Sequence, residues 1–172
     1  KILIKEVKII GSTVFGDPDF APIIKPLTGQ EVTEQQISGV VQAVTQLYLD
    51  QGYINSRATQ GKVENGILTI EVIEGKVGKI TIQGTTRLQK YVLQRVSLGT
   101  GTPLNVRKLE DQLRLLRRDP LFTGVEASLR APQADPDKPP TETPQNETDL
   151  IVRVVEANPF FGSVGLDNYS IP

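Results

Sequence analysis

The amino-acid sequence predicts an α+β fold made of two tandem units, each with the element order β-α-α-β-β. Three blocks occur twice in the same order. Residues 7–11 match residues 80–84, and the glycines that end them lie 73 residues apart. Residues 29–33 match 101–105, and residues 68–74 match 150–156. Such self-similarity indicates a duplicated supersecondary unit of about 75 residues.

In the first unit, the alternation of residues 2–10 predicts one strand that ends at Gly11, with Leu3, Val7 and Ile9 directed inward. Asp17 is expected to be the N-cap of a short helix, and Pro18 its first residue. This helix is expected to end before Pro26, and residues 27–30 form a loop.

The second helix begins with a capping-box pattern at Thr33 and Gln36. Its apolar residues recur at helical spacing and predict one buried stripe: Ile37, Val40, Val41, Val44, Leu47 and Tyr48. Gly52 suits the position just after the last turn. Residues 53–58 and 66–74 predict a hairpin that turns around Asn65.

The second unit predicts the same order: a strand over residues 80–83, a helix over 87–96, a helix capped by Asn105, and a hairpin of residues 122–129 and 150–156. The last helix repeats the earlier stripe at an offset of 72, with Leu109, Leu113 and Leu116 in place of Ile37, Val41 and Val44. The hairpin connection, residues 131–148, has five prolines among 18 residues and predicts a mobile loop. We expect domains at 1–76 and 77–158.

The composition excludes several kinds of site. The chain contains no Cys and no His, so disulfides, thiolate metal sites and a histidine base are excluded. The two acids that recur in both units, Glu74 and Glu156, end strands rather than share an apolar cleft. We therefore expect no catalytic group, no metal site and no cofactor.

Charge is distributed unevenly, although the net charge is −1. Residues 77–130 carry 10 Lys and Arg against 4 Asp and Glu, whereas residues 131–172 carry 2 against 7. The polar side of the last helix holds Arg107, Lys108, Arg114, Arg117 and Arg118. These cations are either a solvated face beside Glu110 and Asp111 or a patch that attracts a polypeptide or anionic lipid. No aromatic residue interleaves with them, which argues against nucleic acid.

Both ends of the chain predict a fragment of a longer protein. The sequence begins at Lys1 without Met and enters a strand pattern at once, so we expect that any signal peptide has been removed. No apolar run approaches the roughly 18 residues of a membrane-spanning helix. The last alternating stretch, residues 160–169, has no counterpart in the repeat and is expected to begin a further segment.

The repeated unit resembles the polypeptide-transport-associated (POTRA) domain. Residues 47–54, Leu-Tyr-Leu-Asp-Gln-Gly-Tyr-Ile, resemble its helix end of Tyr, three residues and Gly-Tyr. Residues 65–75 are similar to the strand and Glu-Gly that close the first such domain of two-partner secretion transporters of the haemolysin-activator type, and residues 101–105 resemble the opening of the second. The resemblance implies three-stranded mixed sheets with two helices on one face, and the start of a C-terminal β-barrel at residues 159–172.

The resemblance also implies a function. The chain is expected to be a non-enzymatic periplasmic module of an outer-membrane transporter, which binds a secreted or unfolded polypeptide client and hands it to its own C-terminal membrane β-barrel. An open sheet edge accepts an extended client as an added strand. By family analogy the client-binding edge is the first hairpin strand of the second unit, at Thr123, Val125, Ala127 and Leu129, with Arg114 and Arg118 as electrostatic guides. No nucleic acid and no small-molecule substrate are expected.

Two other functions stay open. One is the assembly of outer-membrane proteins by a related module, and the other is a structural adaptor that binds folded neighbours. The full-length sequence discriminates between them, because a transporter continues into alternating strands of about ten residues. Further upstream repeats favour assembly, and a single N-terminal membrane helix favours the adaptor.

Overall fold

The computed structural model describes residues 1–132, 137 and 146–157. These residues form two compact units. Unit 1 contains residues 1–76, 102–106, 146 and 147, and unit 2 contains the other described residues. Most of the predicted loop over residues 131–148, and the predicted barrel start at residues 159–172, lie outside the described residues.

Unit 1 is built on a three-stranded mixed sheet. Its elements are β1 (Ile2–Ile4), β2 (Glu6–Ile10), α1 (Asp17–Ile24), β3 (Gln30–Val32), α2 (Glu34–Asp50), β4 (Arg57–Glu64) and β5 (Ile67–Ile73). The sheet order is β2-β5-β4, with β2 parallel and β4 antiparallel to the central β5. A separate antiparallel pair joins β1 to β3.

The second unit repeats this plan without the additional strand pair among its described residues. Its elements are β6 (Lys76–Gln83), α3 (Gln89–Ser97), α4 (Val106–Arg117), β7 (Phe122–Arg130) and β8 (Glu147–Glu156). The sheet order is β6-β8-β7, with β7 antiparallel to the central β8. The predicted fold class, two α+β units with three-stranded mixed sheets, is confirmed.

Each core lies between the second helix and the central strand, where the apolar stripes predicted it. In unit 1 the core includes Ile37, Val40, Val44 and Tyr48 of α2 with Leu68, Ile70 and Val72 of β5. In unit 2 the buried residues of the second helix and the central strand include Leu109, Leu113, Leu116, Leu150, Val152 and Val154. Val41 and Leu47 are only half-buried, so the predicted stripe of α2 is narrower than expected.

The local sequence predicts the N-terminal cap of α2 correctly but not that of α1. At α2, Thr33 Oγ1 accepts from the Gln36 N–H at 3.2 Å, and Gln36 Oε1 accepts from the Thr33 N–H at 2.8 Å. This confirms the predicted capping box. At α1 the N-cap is Gly16 rather than Asp17. The prediction was wrong by one residue because the Asp19 carboxylate accepts from the Gly16 N–H at 3.0 Å.

The predicted strand over residues 2–10 is in fact two strands, separated at Lys5. The Lys5 N–H donates to the Gly66 carbonyl at 2.7 Å, and the chain changes parity there. As a result Ile4 is fully buried, whereas Leu3, which was expected to point inward, is 47% exposed. Apolar residues occupy both parities of this stretch, so alternation alone does not locate the break.

Two strand boundaries also differ from the prediction. Residues 53–56 precede β4 instead of forming its start, because the Tyr53 N–H bonds back to the Tyr48 carbonyl at 3.0 Å. β4 extends to Glu64 on its other side. The central strand β8 starts at Glu147, so the last two residues of the predicted loop belong to the sheet.

Substituting Leu113→Ala tests the register of α4. This side chain is 1% exposed, so its removal leaves a cavity and is expected to lower the free energy of unfolding by about 2–5 kcal/mol. The matched control is Leu115→Ala on the same helix, where the side chain is 51% exposed. Urea denaturation followed by circular dichroism measures both, and equal losses would show that the assigned register is wrong.

Candidate functional site

β7 is an edge strand, since β8 is its one hydrogen-bonded neighbour in the described part of the chain. The pairing runs without interruption from Gly124, opposite Val155, to Arg130, opposite Asp149. A register shift occurs only before this run, between Phe122 and Gly124. The edge therefore offers a continuous row of backbone groups along seven residues.

The structure groups three of the four predicted edge residues and separates the fourth. Val125, Ala127 and Leu129 lie opposite Val154, Val152 and Leu150, which are buried on the helix side of the sheet. Val125 itself is 5% exposed, whereas Thr123 is exposed and lies in the bulge. Thr123 does not share the face of the other three, because an extra residue in one strand changes the alternation.

One side chain of α4 reaches this edge. Arg117 Nε donates to the Val125 carbonyl at 3.2 Å. Residues of an antiparallel pair alternate between those whose N–H and C=O both face the partner and those whose groups both face away. The contact with Arg117 indicates that Val125 faces away from β8, and the same parity then holds for Ala127 and Leu129. The sequence reasoning did not predict this role, although Arg117 belongs to the basic run it singled out.

A shallow groove of about 430 Å³ lies along the start of this edge. Its lining includes Arg117, Thr123, Val125, Glu126 and Val155. The Val155 side chain is among the large apolar side chains left exposed. The groove thus combines exposed apolar surface, backbone groups and two guanidiniums, those of Arg117 and Arg153.

The two predicted guides lie on the exposed side of α4. Arg114 Nη1 pairs with Asp111 Oδ1 at 3.1 Å, and both side chains are more than half exposed. Arg118 is exposed just beyond the helix, and its N–H donates to the Arg114 carbonyl at 3.2 Å. An exposed ion pair of this kind contributes little to stability. Within the described residues, Arg117 rather than either guide hydrogen-bonds to β7.

The corresponding edge of unit 1, β4, is covered differently. The Ala58 N–H donates to Thr45 Oγ1 of α2 at 2.9 Å. The pairing of β4 with β5 shifts between Gln60 and Val63, and a Cβ added to Gly61 within this bulge would lie 2.7 Å from the Thr69 carbonyl oxygen. Bulges and occupied backbone groups discourage the addition of another strand. The edge of β4 is therefore the less available of the two.

The two recurring acids hold loops in place. Glu74 accepts from the backbone N–H of Thr13 at 2.8 Å and from the Tyr48 hydroxyl at 2.7 Å. The Tyr48 oxygen also lies 2.7 Å from Ser12 Oγ. In unit 2, Glu156 accepts from Thr85 Oγ1 and from Arg87 Nη2, each at 2.7 Å. Each acid thus ties the end of the central strand to the loop after the first strand of its sheet.

The pKa shifts fit this structural role. Partial burial by itself would raise the pKa of Glu74, but hydrogen bonds donated by Thr13, Tyr48 and Val14 outweigh burial and lower it. Burial is the main cause that raises the pKa of the Tyr48 hydroxyl. Acid–base catalysis requires a group whose pKa lies near the working pH. Here the shifts move both groups away from neutrality, which leaves a stable hydrogen bond between a neutral phenol and a carboxylate.

Glu74→Gln tests this assignment through pH dependence. Because the pKa of Glu74 is lower in the folded than in the unfolded state, the ionised carboxylate stabilises the fold above the unfolded-state pKa. That contribution is lost as pH falls through the folded-state pKa. We therefore expect acidification from neutral pH to about pH 3 to destabilise the wild type more than the variant.

The matched control is Glu71→Gln, which removes an exposed carboxylate from the same strand. Urea titrations at each pH give the free energies of unfolding. An acid-induced loss as large in Glu74→Gln as in the wild type would contradict the assigned role of Glu74.

Two kinds of feature are absent from the described residues. They contain no group of three or more acidic, His or Cys residues arranged to hold a metal ion. No helix among them has both the length and the apolar character needed to cross a membrane.

Comparison with protein families identifies both units. Residues 2–75 match the family described as "POTRA domain, ShlB-type", and residues 76–157 match the POTRA family described as "Surface antigen variable number repeat". The chain therefore belongs to the POTRA family and consists of two POTRA domains in tandem. The predicted family is confirmed.

Curated relatives of the chain are transporters. It is 26% identical over 171 residues to the outer membrane transporter CdiB of Escherichia coli, a match that covers 96% of this chain and 26% of that protein. It is 25% identical over 157 residues to the heme/hemopexin transporter protein HuxB of Haemophilus influenzae, covering 87% of this chain and 26% of HuxB. The chain thus spans about a quarter of the length of these relatives.

Solved structures share the fold. CdiB from Escherichia coli superposes with a TM-score of 0.70 at 23% identity, covering 93% of this chain and 28% of that one. The POTRA1-3 region of Omp85 from Anabaena superposes with a TM-score of 0.72 at 22% identity, covering 92% and 67% of the two chains.

Proposed function

We propose that these two POTRA domains form the periplasmic client-recognition module of an outer-membrane protein transporter of the two-partner secretion type. The module binds an extended segment of a secreted polypeptide as an added strand and passes it to the transporter's membrane-embedded part. The relatives named as outer membrane transporters support this class of function. The observation that carries the binding mode is the uninterrupted edge of β7.

Strand addition suits a client that is not folded. Its affinity comes from backbone N–H and C=O groups, which every residue of an unfolded polypeptide offers, so recognition tolerates many sequences. On β7 the groups that face away from β8 belong to Val125, Ala127 and Leu129. Their side chains are small to medium-sized and apolar, and an added strand places alternate side chains beside them on the same face.

The edge of β4 serves this purpose less well. Its Ala58 N–H is already bonded to Thr45, and its ladder is broken by a bulge. We therefore assign the client to unit 2, where Arg114 and Arg118 add exposed positive charge on α4 and just after it. Such charge accelerates the approach of an acidic polypeptide more than it strengthens the final complex.

The assembly of outer-membrane proteins is the main alternative, and a structural adaptor is the other. All three functions are compatible with the POTRA fold, so the similarity in fold to Omp85 does not favour one of them. CdiB is named an outer membrane transporter and HuxB a transporter protein, and these names favour secretion over the two alternatives.

Ala127→Pro tests strand addition. Proline removes a backbone N–H that faces away from β8, so the ladder with β8 is kept while one bond to an added strand is lost. The probe is a short fluorescein-labelled peptide of alternating Thr and Val with Glu at both ends. We expect weaker binding by fluorescence anisotropy, with an unchanged circular dichroism spectrum.

Ala127→Ser is the control, because it keeps the N–H and the small side chain. Unchanged peptide binding by a correctly folded Ala127→Pro variant would exclude strand addition at this edge. Binding at another surface, in unit 1, or the adaptor function would then become the better explanation.

Charge reversal at Arg114 and Arg118 tests the electrostatic guides. The double change to Glu should lower the association rate of the same acidic peptide, and the effect should shrink at high salt because salt screens exposed charges. The control is Lys8→Glu with Lys62→Glu, which alters the net charge equally at exposed positions of unit 1. Stopped-flow fluorescence gives the rates, and similar slowing by both double variants would rule out local guidance.

A further inference from the structure

The same position of the second helix caps the edge strand in both units. Thr45 and Arg117 are 72 residues apart, the offset that also aligns Ile37 with Leu109. Thr45 accepts from the Ala58 N–H, and Arg117 donates to the Val125 carbonyl.

The two capped residues are also equivalent. Ala58 lies opposite Val72 in unit 1, and Val125 lies opposite Val154 in unit 2. Val72 and Val154 are matched residues of the repeat, 82 positions apart. Both edges are thus capped at the same point of the fold, but one cap occupies an N–H and the other a carbonyl.

The cap in unit 1 is firmly held. The Thr45 side chain is short, its hydroxyl also lies 3.4 Å from the Val41 carbonyl of the preceding turn, and Ala58 is buried. A side chain of this length, whose hydroxyl also lies beside the Val41 carbonyl, has little freedom to leave the Ala58 N–H. This edge is expected to stay closed.

The cap in unit 2 is easily released. The Arg117 side chain is 45% exposed, and its ion pair with Glu110 is long, with 3.8 Å between Nη1 and Oε2. An exposed guanidinium loses little when it exchanges such contacts for water. The Val125 carbonyl can therefore change partners at low cost.

We propose that Arg117 is a displaceable cap that sets the register of the client strand and selects an acidic residue in it. The client donates its own N–H to the Val125 carbonyl in place of Arg117 Nε. The released guanidinium then pairs with a carboxylate on the client residue opposite Val125. This inference rests on the proposed function, since it requires strand addition at β7.

Geometry and charge identify the client's side chain. Side chains of directly opposite residues in neighbouring strands project from the same face of a sheet with Cβ atoms about 5 Å apart. Val125 faces the helix side, so the client residue opposite it lies beside α4 and Arg117. Arg114 and Arg118 belong to the same end of that helix, which makes an acidic residue the best match. The partner is therefore an extended segment with one Asp or Glu among apolar or small residues.

The cap also accounts for how the edge avoids the wrong partners. While Arg117 holds the Val125 carbonyl, every added strand has to displace it, and only an acidic strand then gains an ion pair with the released guanidinium. Occupied edge groups of this kind suppress edge-to-edge pairing of sheets. Arg117 thus discriminates between strands that backbone bonding alone would accept equally.

Two peptides that differ only in one side-chain group, a carboxylate or a carboxamide, test the proposal. Both alternate Thr and Val with blocked ends, and the central residue is either Glu or Gln. The wild type should bind the Glu peptide several-fold more tightly by isothermal titration calorimetry. Arg117→Gln should lose this preference and bind the Gln peptide at least as well as the wild type does, because the cap is absent.

Lys108→Gln is the matched control, since it removes one positive charge from an exposed position at the other end of the same helix. It should keep the preference for the Glu peptide. A preference that survives in Arg117→Gln, or equal binding of both peptides by the wild type, would overturn the proposal.

A measurement without peptide separates this inference from the proposed function. The Arg117 Nε–H signal in nitrogen-15 NMR should exchange with solvent more slowly than that of Arg118, because it is bonded to Val125. Equally fast exchange would mean that the cap is absent in solution, which overturns the inference and leaves strand addition intact. Slow exchange together with no binding of either peptide would overturn strand addition and reduce Arg117 to a structural contact.

Discussion

The packing of an amphipathic helix against the central strand of a three-stranded sheet holds each unit together. In unit 1 this contact is made by the buried face of α2 and alternate residues of β5, and in unit 2 the equivalent residues of α4 and β8 are buried. Because one face of the central strand is buried, the register of its neighbours is fixed, since a slip by one residue would turn that face to solvent. The packing of this core therefore also fixes the positions of the edge strands. The N–H and C=O groups on the outer side of each edge strand therefore need hydrogen-bond partners from outside the sheet.

The two units supply a hydrogen-bond partner for the edge strand through different chemical groups. In both units the residue that reaches the edge comes from the same turn of the second helix, but Thr45 accepts an N–H and Arg117 donates to a carbonyl. A short, half-buried hydroxyl makes a lasting contact, while a long exposed side chain makes a contact that water or another strand can replace. Two edges of the same architecture are therefore unequal, and the difference lies in side chains at one position rather than in the fold.

The residues that carry the family resemblance have structural roles. Tyr48 packs edge-on against Phe15 and Tyr53, with ring centroids 4.8 and 5.8 Å away, while its hydroxyl bonds to Glu74. The helix end, the loop after β2 and the end of β5 are thus joined by one tyrosine and one acid. Gly52 has a φ of 97°, a left-handed conformation that glycine adopts without strain and that turns the chain away from α2. These motif residues build the scaffold, and the edge that the proposed function uses lies elsewhere.

Local and periodic features of this protein were determined by its sequence alone. The repeat, the capping box at Thr33, the buried stripes of α2 and α4, and the tight turn at Asn65, where φ is 54°, depend on neighbours within a few residues or on a regular period. Tertiary structure decided the break at Lys5, the bulge that isolates Thr123, and the contact of Arg117 with Val125. Each of these depends on a partner distant in sequence or on the exact length of a strand. The family resemblance indicated which edge is open, but only the packed helix beside it shows which backbone group is already occupied.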